Sequence, residues 1–309
     1  MAWLGEKEWF RFLKQLGLEF KEDAVPRMSA ALSYYTIFSL APLLLIAIAV
    51  AGLAFGEEAA RGEVMGSLEG LIGTQGAETI QEMVAAANRP AAGIIATVVS
   101  IAVLLFAASG VFGELQTSLN KMWDVEPKGD GGLLRLLKTR FLSFTMVLGV
   151  AFLLLVSLLV TAALSALGTF LSETLPGGVI LWRVVNFLVS FAIITALFAV
   201  IFKYLPDAKV AWKDVWVGAA VTTALFVVGK FLIGLYLGRS QLLSAYGSAA
   251  SLIIVLVWVY YSAMIFFTGG EFTQVYANRY GSRVRPDDDA KFRDDVRTRS
   301  DRSAGRPQA

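Results

Sequence analysis

The chain has 309 residues, of which 56% are hydrophobic and 17% charged, and its net charge at pH 7 is +2. A soluble domain of this length could not carry so apolar a composition on its surface, and so small a net charge does not indicate a nucleic-acid partner. The sequence contains no cysteine and no histidine, which excludes disulfide bonds and the usual histidine-rich zinc site.

Residues 3–22 have the pattern of an amphipathic helix. Aromatic and leucine side chains alternate with lysine and arginine at helical spacing, as in helices that lie in the plane of the lipid headgroups. We therefore assign residues 1–27 to an interfacial helix. No signal peptide is visible at the start, and the first apolar run would itself direct insertion into the membrane.

Six apolar runs follow, each long enough to supply the about 20 residues that a helix needs to cross the bilayer. They are residues 28–55, 93–119, 141–171, 181–204, 215–237 and 246–277. Since a lipid-exposed backbone must satisfy its own hydrogen bonds, each run is predicted to be a helix. The predicted fold class is an all-α polytopic membrane protein, with six transmembrane helices within residues 28–280.

Two connecting segments carry further predictions. Residues 57–90 are too many for a turn and place apolar side chains at helical spacing between glycines, so we expect two short amphipathic helices that cap the outer face. The tail, residues 281–309, is polar with mixed charges and almost nothing apolar. We expect it to be disordered.

Lysine and arginine are concentrated in alternate connections. They are frequent before the first run, between runs two and three, between runs four and five, and at the start of the tail. The positive-inside rule therefore places both termini in the cytoplasm and residues 57–90 outside.

Lys230 is the clearest charge within an apolar run. A charge at the centre of a membrane helix costs about 2.5–3.5 kcal/mol on insertion scales, which makes such residues candidates for function. One interpretation is an inward-facing cation that binds an anionic group, completed by Arg183 and Arg239 near the same outer level. The other is a lysine whose long side chain reaches the headgroups, or a purely structural ion pair.

Glu114 and Glu271 form a second candidate set for coupling or gating. Each follows a glycine near the predicted cytoplasmic end of a span. A carboxylate in a dehydrated cavity can carry a proton, whereas a carboxylate at the rim of an extended helix does not. Both interpretations are open from the sequence.

The first span carries hydroxyl side chains at Ser33, Tyr34 and Ser39, followed by Pro42. Such residues line transport cavities in kinked helices, and they also bond backbone carbonyls or neighbouring helices. We keep the three hydroxyls as candidate substrate-binding residues beside the packing alternative.

Several blocks of the chain resemble the YihY/BrkB family of membrane proteins, formerly labelled as ribonucleases. In chain order the blocks are Ser29–Tyr35, Ser39–Leu43, Ser118–Val125, Trp212–Ala219, Gly229–Lys230 with Tyr236, Tyr246–Ala249 and Gly269–Glu271. They cover roughly residues 28–277. The resemblance implies a six-span protein of the bacterial inner membrane and does not supply a molecular activity.

Nuclease activity is the first of three possible functions, because it is the family's former label. A nuclease needs a metal cluster or a strong acid–base pair, but histidine is absent and the dense acidic run Asp287–Asp289 lies in the tail. We therefore predict no enzyme, no catalytic residue, no metal and no cofactor. The favoured function is a transporter or lipid translocator for an anionic or amphiphilic substrate, with membrane lipids as partners and no nucleic acid.

The alternative is a non-transporting membrane scaffold or envelope assembly factor. A polar cavity open to the bilayer would favour transport, whereas a dry, close-packed bundle would favour the scaffold. The sequence does not indicate an oligomeric state.

Overall fold

A computed structural model describes residues 6–87, 94–128, 178–239 and 249–293, with Thr145. The third predicted span, residues 141–171, lies outside these residues apart from Thr145. Seven helices are described: α1 Glu6–Glu22, α2 Val25–Phe55, α3 Glu57–Ala87, α4 Ile94–Met122, α5 Gly178–Tyr204, α6 Trp212–Arg239 and α7 Ala250–Arg279. Four short strands accompany them: β1 Val125–Pro127, β2 Ala208–Lys209, β3 Arg285–Pro286 and β4 Ala290–Phe292.

Four helical segments among the described residues are long and apolar enough to cross a membrane. They are Val25–Leu53, Val184–Tyr204, Trp212–Tyr236 and Ala250–Arg279. The predicted all-α membrane class is therefore confirmed. The helix α4 forms where the second span was predicted, and the total of six spans stays a prediction.

The helix α1 forms where the amphipathic pattern placed it. The Phe12 side chain is buried, with its ring 5.2 Å from the Phe272 ring and 6.1 Å from the Tyr280 ring, centroid to centroid. One face of α1 therefore packs against the end of α7, while Phe10 and Leu13 remain exposed. The exposed apolar side chains fit a headgroup location, which remains a prediction.

The helix α3 differs from the expected cap. Its backbone breaks at Gly73, where φ is 79°, so two helical segments form as predicted. However, the buried side of α3 packs along the sides of α2 and α7, burying Ala60, Ile72 and Val84. The prediction of a cap is wrong in this respect, because the apolar residues of α3 need a helix flank to cover them.

The part of α3 next to the break lies beside the middle of α2. Ile72 lines the same cavity as Thr36 and Leu40, which lie near the middle of α2. The helix α3 also carries six exposed glutamates: Glu57, Glu58, Glu63, Glu69, Glu78 and Glu82. Since carboxylates avoid hydrocarbon, the exposed surface of α3 is expected to contact water.

The tail is ordered as far as residue 293. The strand β4 pairs antiparallel with β1, bringing Phe292 opposite Val125, and β3 pairs antiparallel with β2, bringing Pro286 opposite Ala208. The prediction of disorder is wrong for residues 281–293, because their backbone groups find partners in the two loops. Residues 294–309 lie outside the described part of the chain. We call the end of the bundle that carries the four strands the strand end.

Candidate functional site

Glu271 on α7 is the most unusual polar residue of the described structure. Its side chain has no exposed surface, and neither carboxyl oxygen accepts a hydrogen bond from a described donor. Gly270 beside it packs against Met122 and Trp123, so the end of α4 closes over this part of α7. A buried carboxylate without a donor is costly, and the group therefore calls for an explanation.

Asp23 is the residue whose carboxyl group lies beside that of Glu271. It lies in the turn between α1 and α2, is 9% exposed, and places its carboxyl group within hydrogen-bonding reach of the Glu271 carboxyl group. Two carboxyl groups can share a hydrogen bond only if one of them is protonated. Burial raises the pKa of Asp23, and the positive charge of Lys121 opposes that shift.

Lys121 at the end of α4 contacts Asp23 in two ways. Its Nζ lies 3.8 Å from Asp23 Oδ1 and also donates a hydrogen bond to the Asp23 backbone carbonyl. The contact ties α4 to the α1–α2 turn. It also brings a cation beside the pair of carboxyl groups, whose other charged neighbours include Glu19 and Asp124 close to Glu271 and Arg293 close to Asp23.

Asp124 is itself held in place from two sides. Gln274 Nε2 donates to Asp124 Oδ2 at 3.3 Å, and the backbone N–H of Arg293 donates to the Asp124 carbonyl at 3.0 Å. We refer to Glu19, Asp23, Asp124 and Glu271 as the carboxyl cluster. It lies at the strand end, where α1, α4, α7 and the ordered tail meet.

A polar cleft of about 480 Å³ adjoins the carboxyl cluster. Lys121 and Arg293 line it, together with Gln116, Asn120 and Asp207. Asn120 Nδ2 donates to Asp207 Oδ2 at 2.8 Å, the Asp207 N–H donates to Asn120 Oδ1 at 2.7 Å, and Gln116 Nε2 donates to Asp207 Oδ1 at 3.2 Å. These bonds fix α4 to the loop after α5.

A second cavity, of about 260 Å³, lies among the helices. Its walls are almost wholly apolar and come from α2 to α7; they include Leu32, Leu40, Ile72, Leu115, Phe198, Phe226, Trp258 and Ala263. Leu115 and Gln116 are neighbours on α4, and they line the apolar cavity and the polar cleft respectively. The structure thus offers an apolar and a polar compartment on either side of one helix.

Lys230 does not face the interior. It is exposed on α6, between the exposed side chains of Val228 and Phe231. The interpretation as an inward-facing cation is therefore wrong for the described structure, and the alternative of a lysine reaching the headgroups fits its position. The side chains of Arg183 and Arg239 lie outside the described part of the structure, so the predicted basic cluster stays a prediction.

The predicted hydroxyls of α2 have different surroundings. Ser33 Oγ donates to the carbonyl of Ala30 at 2.8 Å within the same helix, and Ser39 Oγ donates to the carbonyl of Ala107 on α4 at 2.6 Å. Tyr34 is 60% exposed. The packing alternative describes Ser33 and Ser39, and a role of the three in substrate binding stays untested.

The two predicted carboxylates have different surroundings. Glu114 is half-buried, with Ser118 Oγ donating to its Oε1 at 3.5 Å, whereas Glu271 is fully enclosed. The rim interpretation is wrong for Glu271, whose buried carboxyl group lies within hydrogen-bonding reach of the Asp23 carboxyl group. Asp23 and Lys121 were missed, although Lys121 stands in the block Ser118–Val125.

Comparison with known proteins identifies the family. The family model described as "Virulence factor BrkB" matches residues 17–294, which include the end of α1, the carboxyl cluster and the paired strands. The chain belongs to the BrkB family. The resemblance inferred from the sequence blocks is thereby confirmed.

Relatives of this BrkB-family chain are named mainly as membrane proteins. A UPF0761 membrane protein of Psychrobacter sp. is 26% identical over 90% of the chain and 50% of its own length, and one of Teredinibacter turnerae is 28% identical over 89% and 62%. The chain therefore spans only about half to three fifths of these two proteins. A ribonuclease-like protein of Bacillus subtilis, YfkH, is 24% identical over 87% of the chain and 96% of its own length. No solved structure matches the chain.

Proposed function

We propose that this protein is a transporter of the bacterial inner membrane that translocates an anionic amphiphile such as a lipid. The observation that carries the proposal is the pair of compartments on either side of α4, one apolar and one polar. An amphiphile needs both environments when it leaves the bilayer leaflet.

The polar cleft supplies positive charge for an anionic headgroup. Lys121 and Arg293 line it, and of its two acidic residues Glu126 pairs with Lys291 at 2.9 Å while Asp207 is bonded by Asn120 and Gln116. The substrate headgroup is therefore assigned to the cleft, in place of the outer basic cluster expected from the sequence. On the positive-inside rule the strand end, and with it the cleft, faces the cytoplasm.

The name of YfkH raises nuclease activity as a competing function. Phosphodiester hydrolysis generally relies on metal ions held by several carboxylates or histidines. Within the described ranges, no three or more such residues are grouped so as to hold a metal ion. Translocation accounts for the two compartments, and a nuclease does not.

The test uses purified protein in liposomes with labelled anionic and zwitterionic lipids that have the same acyl chains. We expect faster movement of the anionic lipid than in protein-free liposomes. Ala263→Phe, which fills the apolar cavity, should abolish that movement, whereas Leu232→Phe on the exposed face of α6 should not. If neither lipid moves faster than in protein-free liposomes, translocation is rejected and the scaffold becomes the better account.

A further inference from the structure

We propose that Asp23 and Glu271 form a proton-binding site, in which one proton is held between the two carboxyl groups and is released through the polar cleft. The proton occupancy stands on the geometry of the pair alone. Its coupling to substrate movement rests on the translocation proposed above.

The geometry of Glu271 requires a proton in this arrangement. Its carboxyl group is fully buried and has no described donor, and the group within reach is another carboxyl. If both were ionised, two like charges would face each other in a buried site without a hydrogen bond between them. One shared proton removes one of the charges and creates the missing donor.

A proton fits the site better than a metal ion. Nowhere in the described segments do three or more acidic residues form a group suited to a metal. Lys121 and Arg293 already act on Asp23 as positive charges, and a bound cation would be repelled by them. A proton needs no coordination shell and occupies no volume.

Charged groups from several elements surround the pair and determine its proton affinity. Glu19 and Glu22 approach from α1, and Asp124 approaches from the turn after α4, and their negative charges favour keeping the proton. Lys121 from α4 and Arg293 after β4 favour releasing it from Asp23. Movement of Lys121 toward or away from Asp23 would therefore change the proton affinity of the pair.

Lys121 also defines the release route. It contacts Asp23 on one side and lines the polar cleft on the other, so the cleft connects the carboxyl pair to water. A headgroup bound in the cleft would draw on the same lysine. The headgroup and the ionised Asp23 carboxylate would then compete for Lys121, so headgroup binding would favour protonation of the pair, which is a physical basis for coupling.

Infrared spectroscopy of the purified protein tests the site without any transport assay. At neutral pH we expect the C=O stretch of a protonated, buried carboxylic acid. Selective ¹³C labelling of aspartate and glutamate carboxyl groups in the wild type should shift this band, and Glu271→Gln should remove it. Glu114→Gln, which alters the half-buried carboxylate on α4, is the matched control and should leave it unchanged.

Each outcome decides the proposal. No such band in the wild type, or a band that neither label shifts, overturns it even if Glu271→Gln fails to fold. A band that persists in a folded Glu271→Gln protein also overturns it. If lipid moves in liposomes but a pH gradient does not change its rate, the coupling is rejected while translocation stands. If no lipid moves, translocation fails, and the infrared result still decides the proton site.

Discussion

Gly218 of α6 faces Thr273 of α7 so closely that a Cβ atom on Gly218 would overlap the threonine hydroxyl. The reverse contact occurs one turn away, where Gly269 of α7 faces Thr222 of α6. Each threonine hydroxyl donates to a glycine carbonyl of its own helix at 2.7 Å. Small residues let membrane helices approach closely, and here the contact keeps α7, and therefore Glu271, in register with α6.

Gly218→Ala should consequently destabilise the protein. The added methyl group must displace Thr273, at a cost of about 1–3 kcal/mol for overpacking. The change should appear as a lower midpoint of unfolding in detergent. Gly234→Ala on the same helix is the matched control, because no atom lies within 4 Å of a Cβ placed there. Equal stability of the two variants would contradict the proposed close packing.

Asn120→Ala should weaken the attachment of α4 to the loop after α5. The substitution removes two hydrogen bonds and leaves the Asp207 N–H without its described acceptor, which costs about 1–3 kcal/mol if that group stays dry. Thr117→Ala, at an exposed position of α4 whose hydroxyl bonds within the helix, should have a much smaller effect. Unfolding midpoints of the two variants in detergent provide the comparison.

Ser67→Cys on α3 should react with an impermeant thiol reagent added to intact cells. Ser67 is exposed, and the exposed glutamates of the same helix need water beside them. Phe231→Cys, on the exposed apolar face of α6, should react slowly because lipid covers it. The chain has no cysteine of its own, so each label reports one position.

The impermeant thiol reagent also tests the orientation of the protein in the membrane. Lys213→Cys, at an exposed position near the start of α6, should react only after the cells are permeabilised. Rapid labelling of this position in intact cells would reverse the predicted topology and move the carboxyl cluster to the outer side.

Lys230→Met should be nearly silent. The side chain is exposed among apolar neighbours, so a methionine fits the same surface without a new cavity. Protein abundance and lipid movement in liposomes should both stay close to the wild type. Loss of lipid movement at normal abundance would restore Lys230 as a substrate-binding residue.

The ordered tail should loosen in acid. The backbone N–H of Asp288 holds the pKa of Asp287 below its ordinary value of 3.8, and Lys209, 3.3 Å away, adds to the effect. Because the folded pKa is lowered, the ionised group stabilises the tail above pH 3.8, and this stabilisation is lost as the pH falls through the folded value. Amide exchange protection of residues 285–292, corrected for intrinsic rates, should fall in that window, and Asp287→Asn should remove the pH dependence.

The membrane class and the positions of the helices could be predicted from the sequence, because both depend on local properties. The length and apolarity of each run decide whether a helix can cross the bilayer, and α2, α5, α6 and α7 formed where those runs lie. The amphipathic spacing of α1 is equally local. Glu271 stood out because a carboxylate in an apolar run is rare.

The contacts between distant residues were decided only by the tertiary structure. Asp23 follows the predicted interfacial helix in the sequence, and only the packing of α1 and α4 against α7 brings it to Glu271. The polar composition of the tail predicts disorder, but strand pairing needs backbone partners more than apolar side chains, and β1 and β2 supply them. The face of α6 that carries Lys230 could not be predicted, because α6 is apolar all round and such a helix does not reveal from its sequence which face meets lipid.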